Sequence, residues 1–179
     1  MSIEGVQEYF RQFGIEDRIK VFDVSSATVD LAAAALGYDQ ARIAKTLSFS
    51  NNGGAILVVC TGDAKVSNAK FKATFGTKPR MLPHDEVEAL IGHRVGGVCP
   101  YAINSGIPVY LDESLFRFET VFPACGSSNS AIELTVSELL EYARATDRVD
   151  VCRMGGVIII KSKIQIIDYI KFYCVVLRY

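Results

Sequence analysis

At 179 residues, half of them apolar and 22% charged, with 14 glycines, 5 prolines and no tryptophan, the chain has the length and composition of one globular domain. Disordered, collagenous and disulfide-framed classes are excluded. The 19 basic and 20 acidic residues leave a net charge of −1, split as +3 over residues 154–179 and −4 over residues 1–153, so a polyanion bound by the main body has to be gripped locally.

Taken in chain order, Val6, Tyr9, Phe10 and Phe13 fall at helical spacing after Ser2 and before Gly14, which predicts a first helix. Ile19 to Val24 reads as a short strand. Thr28 is a natural N-cap for the alanine-rich run from Val29, and Gly37 is its stop. Ile43 to Ser50 and Ala55 to Thr61 flank Asn51-Asn52-Gly53-Gly54, a hairpin signature, and the unbroken apolar run of the second strand predicts burial on both faces. Ser67 to Phe75 and Asp85 to Ile91 are short helices, each closed by glycine. Val95-Gly96-Gly97-Val98-Cys99-Pro100 holds two glycines and a proline in six residues and must be a shaped loop. Val109 to Leu111, Thr120 to Pro123 and Ala131 to Leu134 are strand candidates, and Thr135-Val136-Ser137-Glu138 is a capping box opening a helix through Ala143. The elements interleave without a βαβ period, which predicts an α+β or mixed-sheet domain.

From Met154 to Tyr179 the composition shifts to isoleucine and tyrosine. Its longest apolar run, Phe172 to Leu177, is far short of the roughly 18 residues of a membrane span, and the segment is set apart from the domain of residues 1–153 as an extension of unassigned role. Five widely spaced cysteines (Cys60, Cys99, Cys125, Cys152 and Cys174) form no C-x-x-C, and the N-terminus lacks the basic start and apolar run of a signal peptide. A reduced, cytoplasmic protein without a zinc site is expected.

Strand alternation places Ile43, Lys45, Leu47 and Phe49 on one face and Ala44, Thr46 and Ser48 on the other. Lys45 is the misfit on the apolar face. Two readings stand: a cation facing a pocket, or a lysine laying its stem over apolar neighbours with its head in water. The Gly96 to Pro100 loop can bring backbone N–H groups close to a ligand, or simply turn the chain; it is no Walker loop. Gly126-Ser127-Ser128-Asn129-Ser130 offers hydroxyls, an amide and backbone donors, or is a polar turn. Cys99 with His84 or His93 is conceivable as a nucleophile pair, although two histidines give no diagnostic spacing, and His84 reads as a solvated helix start. No cysteine and histidine cluster or H-E-x-x-H occurs, so no metal or other cofactor is expected.

The order of these landmarks is more specific than any one of them. Ser26-Ala27-Thr28 with the helix ending Leu36-Gly37, then Ile43-Ala44-Lys45-Thr46-Leu47, then Val95 to Pro100, then Gly126 to Leu134, resembles the YbaK family of aminoacyl-tRNA deacylases, which includes the editing domain of bacterial prolyl-tRNA synthetases. The likeness covers roughly residues 3–150. It implies a mixed, barrel-like central sheet with surrounding short helices, enclosing a pocket for the terminal adenosine of tRNA and its amino acid. The family's lysine aligns with Lys45 and its glycine-rich loop with Gly97 to Pro100.

That resemblance implies a trans-editing deacylase acting on mischarged aminoacyl-tRNA, foremost tRNA for proline carrying a small wrong amino acid, with prolyl-tRNA synthetase or an elongation complex as further partners and no membrane. The expected roles are Lys45 at the ester end or terminal phosphate, and the N–H groups of Gly97 and Val98 toward the developing oxyanion. Thr28, Gly96, Cys99, Pro100, Gly126, Ser127, Ser128 and Asn129 are expected to line the substrate. Water or a group on the substrate would attack, so no protein nucleophile is required. Two departures bear on turnover: Ala131 stands where some relatives have an acid, and Ala124 near a serine of others. A pocket that binds without hydrolysing is the alternative, and a Cys99-dependent hydrolase a third.

Overall fold

A computed structural model of the chain describes residues 3–51 and 53–154. The expected division near residue 153 therefore falls at their end, and the Ile/Tyr-rich segment lies outside the described residues. Helix α1 (Ile3–Arg11) buries Val6 and Phe10, and strand β1 (Lys20–Val21) follows. Helix α2 (Val29–Leu36) starts where the Thr28 hydroxyl accepts the Leu31 N–H and ends at Gly37 in the left-handed conformation, φ 73°. The hairpin of β2 (Ile43–Asn51) and β3 (Gly54–Thr61) is antiparallel in the register Lys45↔Cys60, Leu47↔Val58, and β3 is buried from Ala55 to Thr61.

Strand β4 (Ala64–Val66) precedes helices α3 (Asn68–Phe75) and α4 (His84–Ile91). Strands β5 (Val109–Asp112), β6 (Thr120–Pro123), β7 (Ser130–Ala131) and β8 (Leu134–Thr135) come next. Helix α5 (Val136–Tyr142) carries the capping box, Thr135 and Glu138 satisfying each other's backbone N–H. Strands β9 (Asp147–Val149) and β10 (Cys152–Met154) complete the described chain.

The main sheet runs β8-β6-β2-β3-β5-β9 and curls into a half-barrel, a mixed α+β arrangement as expected. Pairs β2–β6, β3–β5 and β5–β9 are parallel, and β2–β3 and β6–β8 antiparallel. One face of the hairpin (Ala44, Leu57, Val59) packs on Phe10, Tyr101, Leu111 and Leu139; the other (Phe49, Ile56, Val58, Cys60) packs on Phe71 and Val151. The buried Asp112 carboxylate ties β5 to β10 by accepting the N–H groups of Val151 at 2.8 Å and Cys152 at 3.0 Å.

Two strand expectations change. The single strand over Ala131 to Leu134 is two, because Ala131 pairs with Lys20 while Leu134 pairs with Val121, and the chain turns between them. The strand over Ile19 to Val24 shortens to two residues, because from Phe22 onward the backbone is bonded to the 128–129 loop instead.

Candidate functional site

Strand β2 is paired on both sides for only part of its length. Its ladder with β6 stops after Ala44↔Pro123, and pairing on that edge resumes where the Ser48 carbonyl accepts the Leu82 N–H and the Ser50 N–H donates to the Arg80 carbonyl, both at 2.9 Å. In an antiparallel pair successive residues turn their N–H and C=O to opposite edges, so Ser48 and Ser50 fix Thr46 as facing the gap. The gap opens onto a cavity of about 470 Å³. Its wall is made by residues 43–48 of β2, the start of α2, Met81, Leu82, His84 and Val87 from the α4 side, Val95, Gly96 and Val98 from the glycine loop, and Ala124, Ser130 and Ala131. No Asp or Glu lies on this wall.

Lys45 is on the wall and half-buried. Its Nζ donates to the carbonyls of Gly62 at 2.9 Å and Ala64 at 2.5 Å. An ammonium has three N–H donors, so one is left for a ligand. The Gly62 turn that supplies the first carbonyl admits no side chain: a Cβ there would lie 2.1 Å from the Gln40 carbonyl oxygen and 2.5 Å from Val29.

The glycine loop touches the second polar loop. Gly96 has φ 91°, and a Cβ on Gly97 would stand 2.9 Å from the backbone of Gly126 and Ser127, so the two loops meet only because Gly97 lacks one. The Gly97 N–H donates to the Arg94 carbonyl at 3.0 Å, which corrects its expected part as an oxyanion donor: a turn occupies it. The Val98 N–H has no acceptor among the described residues and Val98 is on the cavity wall.

Of the expected substrate-lining residues, Thr28 and Gly96 are on the wall, with the Thr28 hydroxyl engaged as the α2 cap. Gly126, Ser127, Ser128 and Asn129 are not on it. Ser127 Oγ donates to Asn129 Oδ1 or Ser130 Oγ, Asn129 Nδ2 donates to the Phe22 carbonyl, and the Ser128 carbonyl accepts the Ser26 N–H. Their polar groups hold the segment before α2 in place and shape the cavity indirectly. Cys99 and Pro100 are buried away from the wall, and Pro100 borders a separate cleft with Tyr9 and Arg144.

The fold does bring Cys99 to His93, Sγ to Nε2 at 3.5 Å, but not as a nucleophile and base. His93 Nε2 lies 2.7 Å from the Tyr101 carbonyl oxygen, which can only accept, so that nitrogen carries the proton. Burial pushes the Cys99 thiol up to about 12. Iodoacetamide is therefore expected to leave Cys99 of the folded protein unlabelled; rapid labelling under native conditions would restore the thiol as a reactive group.

His93 is fully buried, and burial holds its pKa below the ordinary 6.5. Below about 6.5 the unfolded chain binds a proton that the folded one refuses, so this contribution to stability is complete above that pH and is lost as pH falls toward the folded value. His93→Gln, which keeps a donor for Tyr101, is expected to flatten the fall in urea midpoint between pH 7 and 5. Equal slopes in parent and variant would remove His93 as the cause.

Sequence reasoning passed over several wall residues. His84, read as merely solvated, is exposed but borders the cavity. Thr46 and Ser48 lie on the strand face opposite Lys45, yet share the cavity with it, because the opening is at the strand's edge. Gly62 had one available signal, a lone glycine between Thr61 and Asp63.

A small chamber with a cationic side chain, spare backbone donors and no carboxylate suits an anionic or ester-bearing ligand. The chain belongs to the aminoacyl-tRNA editing domain family, which it matches over residues 24–142, a span holding every wall residue. It is 50% identical over 154 residues to "Uncharacterized protein YwhH" of Bacillus subtilis (strain 168), covering 86% of this chain and 98% of that one. It is 31% identical over 104 residues to the proline-tRNA ligase of Shouchella clausii (strain KSM-K16), 58% of this chain and 18% of the ligase. Its fold superposes with a TM-score of 0.76 and 29% identity on a solved structure named "putative trans-editing enzyme for prolyl tRNA synthetase", covering 86% of this chain and 97% of that one.

Proposed function

We propose that this domain hydrolyses, in trans and in the cytoplasm, the ester joining a small wrong amino acid to the terminal ribose of tRNA, with tRNA for proline as the first substrate to try. The observation that carries the reading is Lys45, a wall residue of a carboxylate-free chamber, whose ammonium is fixed by two carbonyls with one donor to spare. In the reaction the oxygen of water bonds to the ester carbonyl carbon and negative charge gathers on the carbonyl oxygen. In this reading Lys45 and the Val98 N–H hold the ester end and that charge. The C–O bond to the ribose then breaks, its electron pair and a proton go to the ribose oxygen, and the free amino acid leaves. The proline-tRNA ligase relative and the trans-editing neighbour support the choice of tRNA.

The local grip that the charge balance demands lies beside the chamber. Residues 64–83 contain Lys65, Lys70, Lys72, Lys78 and Arg80 and no acid. Lys70 pairs with Asp150, whereas Lys72, Lys78 and Arg80 are exposed with no ion pair among the described residues. Lys78 and Arg80 border a cleft of about 360 Å³ that shares Leu82 with the chamber. A phosphate backbone whose 3′ end enters the chamber can follow this strap. The double variant Lys78→Glu, Arg80→Glu is expected to raise KM for charged tRNA about tenfold with kcat little changed, and to flatten the salt dependence of KM. An unchanged KM would put the tRNA elsewhere.

Ala124 and Ala131 on the wall favour a second reading, a pocket that binds the charged 3′ end without turnover. Deacylation assays with tRNA for proline carrying proline, alanine, cysteine, serine or threonine decide between them. Release of any wrong amino acid supports the deacylase; binding of an aminoacyl-adenosine mimic with no release from any of the five establishes the binding module.

A further inference from the structure

Two hydroxyls on the chamber wall are unused. Thr28 caps α2 and Ser130 accepts from Ser127, but Thr46 Oγ1, closed off from bulk water, has no hydrogen-bond partner. Ser48, one step along the same strand face and 5% exposed, likewise makes no side-chain hydrogen bond among the described residues. Aliphatic residues of the same wall include Ala44, Leu82, Val87, Val98, Ala124 and Ala131. A hydroxyl buried without a partner, as that of Thr46 is, is unfavourable until a ligand supplies one, and the Ser48 hydroxyl stands unbonded on the same face.

The charge of the wall decides which part of an aminoacyl group that is. An α-ammonium seated against Thr46 would be a buried cation with no Asp or Glu to pair with, and Lys45 would repel it. The ammonium belongs toward the mouth, and the neutral side chain of the amino acid is the group that reaches Thr46 and Ser48. Resting on the deacylase reading, we infer that these two residues determine specificity: they recognise the side-chain hydroxyl of serine or threonine, so the chamber prefers seryl and threonyl esters to alanyl ones. Alanine fills the space but leaves the buried Thr46 hydroxyl unpaired, and a site built to bond a hydroxyl discriminates strongly against the analogue lacking it.

The test compares kcat/KM for tRNA charged with serine, threonine and alanine in the parent, Thr46→Val, Thr46→Ser and Ser48→Ala, with melting curves to verify folding. The parent is expected to favour serine over alanine by roughly tenfold to hundredfold. Thr46→Val and Ser48→Ala should each bring serine toward the alanine value while alanine stays within about twofold, and Thr46→Ser should restore the serine preference. A parent that cleaves alanyl and seryl esters equally, or a Thr46→Val variant that loses both alike, overturns the inference and leaves the deacylase standing. If the parent releases no amino acid at all, the deacylase reading fails instead. Recognition is then read from calorimetric binding of the amide-linked 3′-seryl and 3′-alanyl adenosines: tighter seryl binding, lost in Thr46→Val, upholds the hydroxyl contact, and equal binding ends it.

Discussion

Replacing Lys45 with alanine is expected to lower the single-turnover rate of ester hydrolysis by about a hundredfold to a thousandfold, the effect of removing one preorganised donor from developing charge. The melting temperature should fall by several degrees with the fold retained, because the half-buried side chain gives up two hydrogen bonds, to the carbonyls of Gly62 and of the buried Ala64. The loss should appear in released amino acid measured at enzyme excess, and it should not be recovered by raising enzyme concentration if the lysine acts on the reacting ester. Recovery at saturation would confine Lys45 to binding the terminal phosphate. Hydrolysis at the parental rate would sink the assignment.

Gly62→Ala is the second large effect, and it works through Lys45 without touching substrate. The new Cβ would meet the Gln40 carbonyl oxygen at 2.1 Å, and backbone cannot yield as the end of a flexible side chain can. The turn between β3 and β4 has to shift, and the Gly62 carbonyl that holds the ammonium shifts with it. Overpacking of this kind costs about 1–3 kcal/mol, or roughly 3–10 °C in Tm for a chain of this length. Hydrolysis should fall at least about tenfold at temperatures where the variant remains folded. Gly106→Ala is the control: it too stands at a turn, with φ 80° but open space around its Cβ, so its backbone strain lowers Tm while hydrolysis holds. Parental activity in folded Gly62→Ala would show that the carbonyl does not position the lysine.

The helices were legible because their signals are local. Thr28 and Gly37 bound α2, Gly76 and Gly92 close α3 and α4, and Thr135 with Glu138 opens α5, each through hydrogen bonds or a positive φ reached within four residues. The hairpin was legible for the same reason. The three-residue strands β4, β9 and β10 were not, since three residues are too few to establish a strand period and these exist by pairing with distant partners, as Arg153 does with Lys65. The polar loop at Gly126 to Asn129 reads as a ligand surface in the sequence, whereas its hydrogen bonds run to Phe22 and Ser26, more than a hundred residues earlier.

By itself the sequence determined the α+β class, the hairpin, the alternation that makes Lys45 a misfit on an apolar face, and the order of landmarks that carries the family resemblance. All of these follow from near neighbours and from the two-residue period of a strand. The tertiary structure alone decided that β6 leaves β2 after Ala44 and that the Arg80 to Leu82 strap rejoins it only at Ser48. That gap turns a strand edge into the mouth of a chamber, so residues from both faces of β2 share it. Edge pairing is set by segments far apart in the chain, and no local period records where it stops.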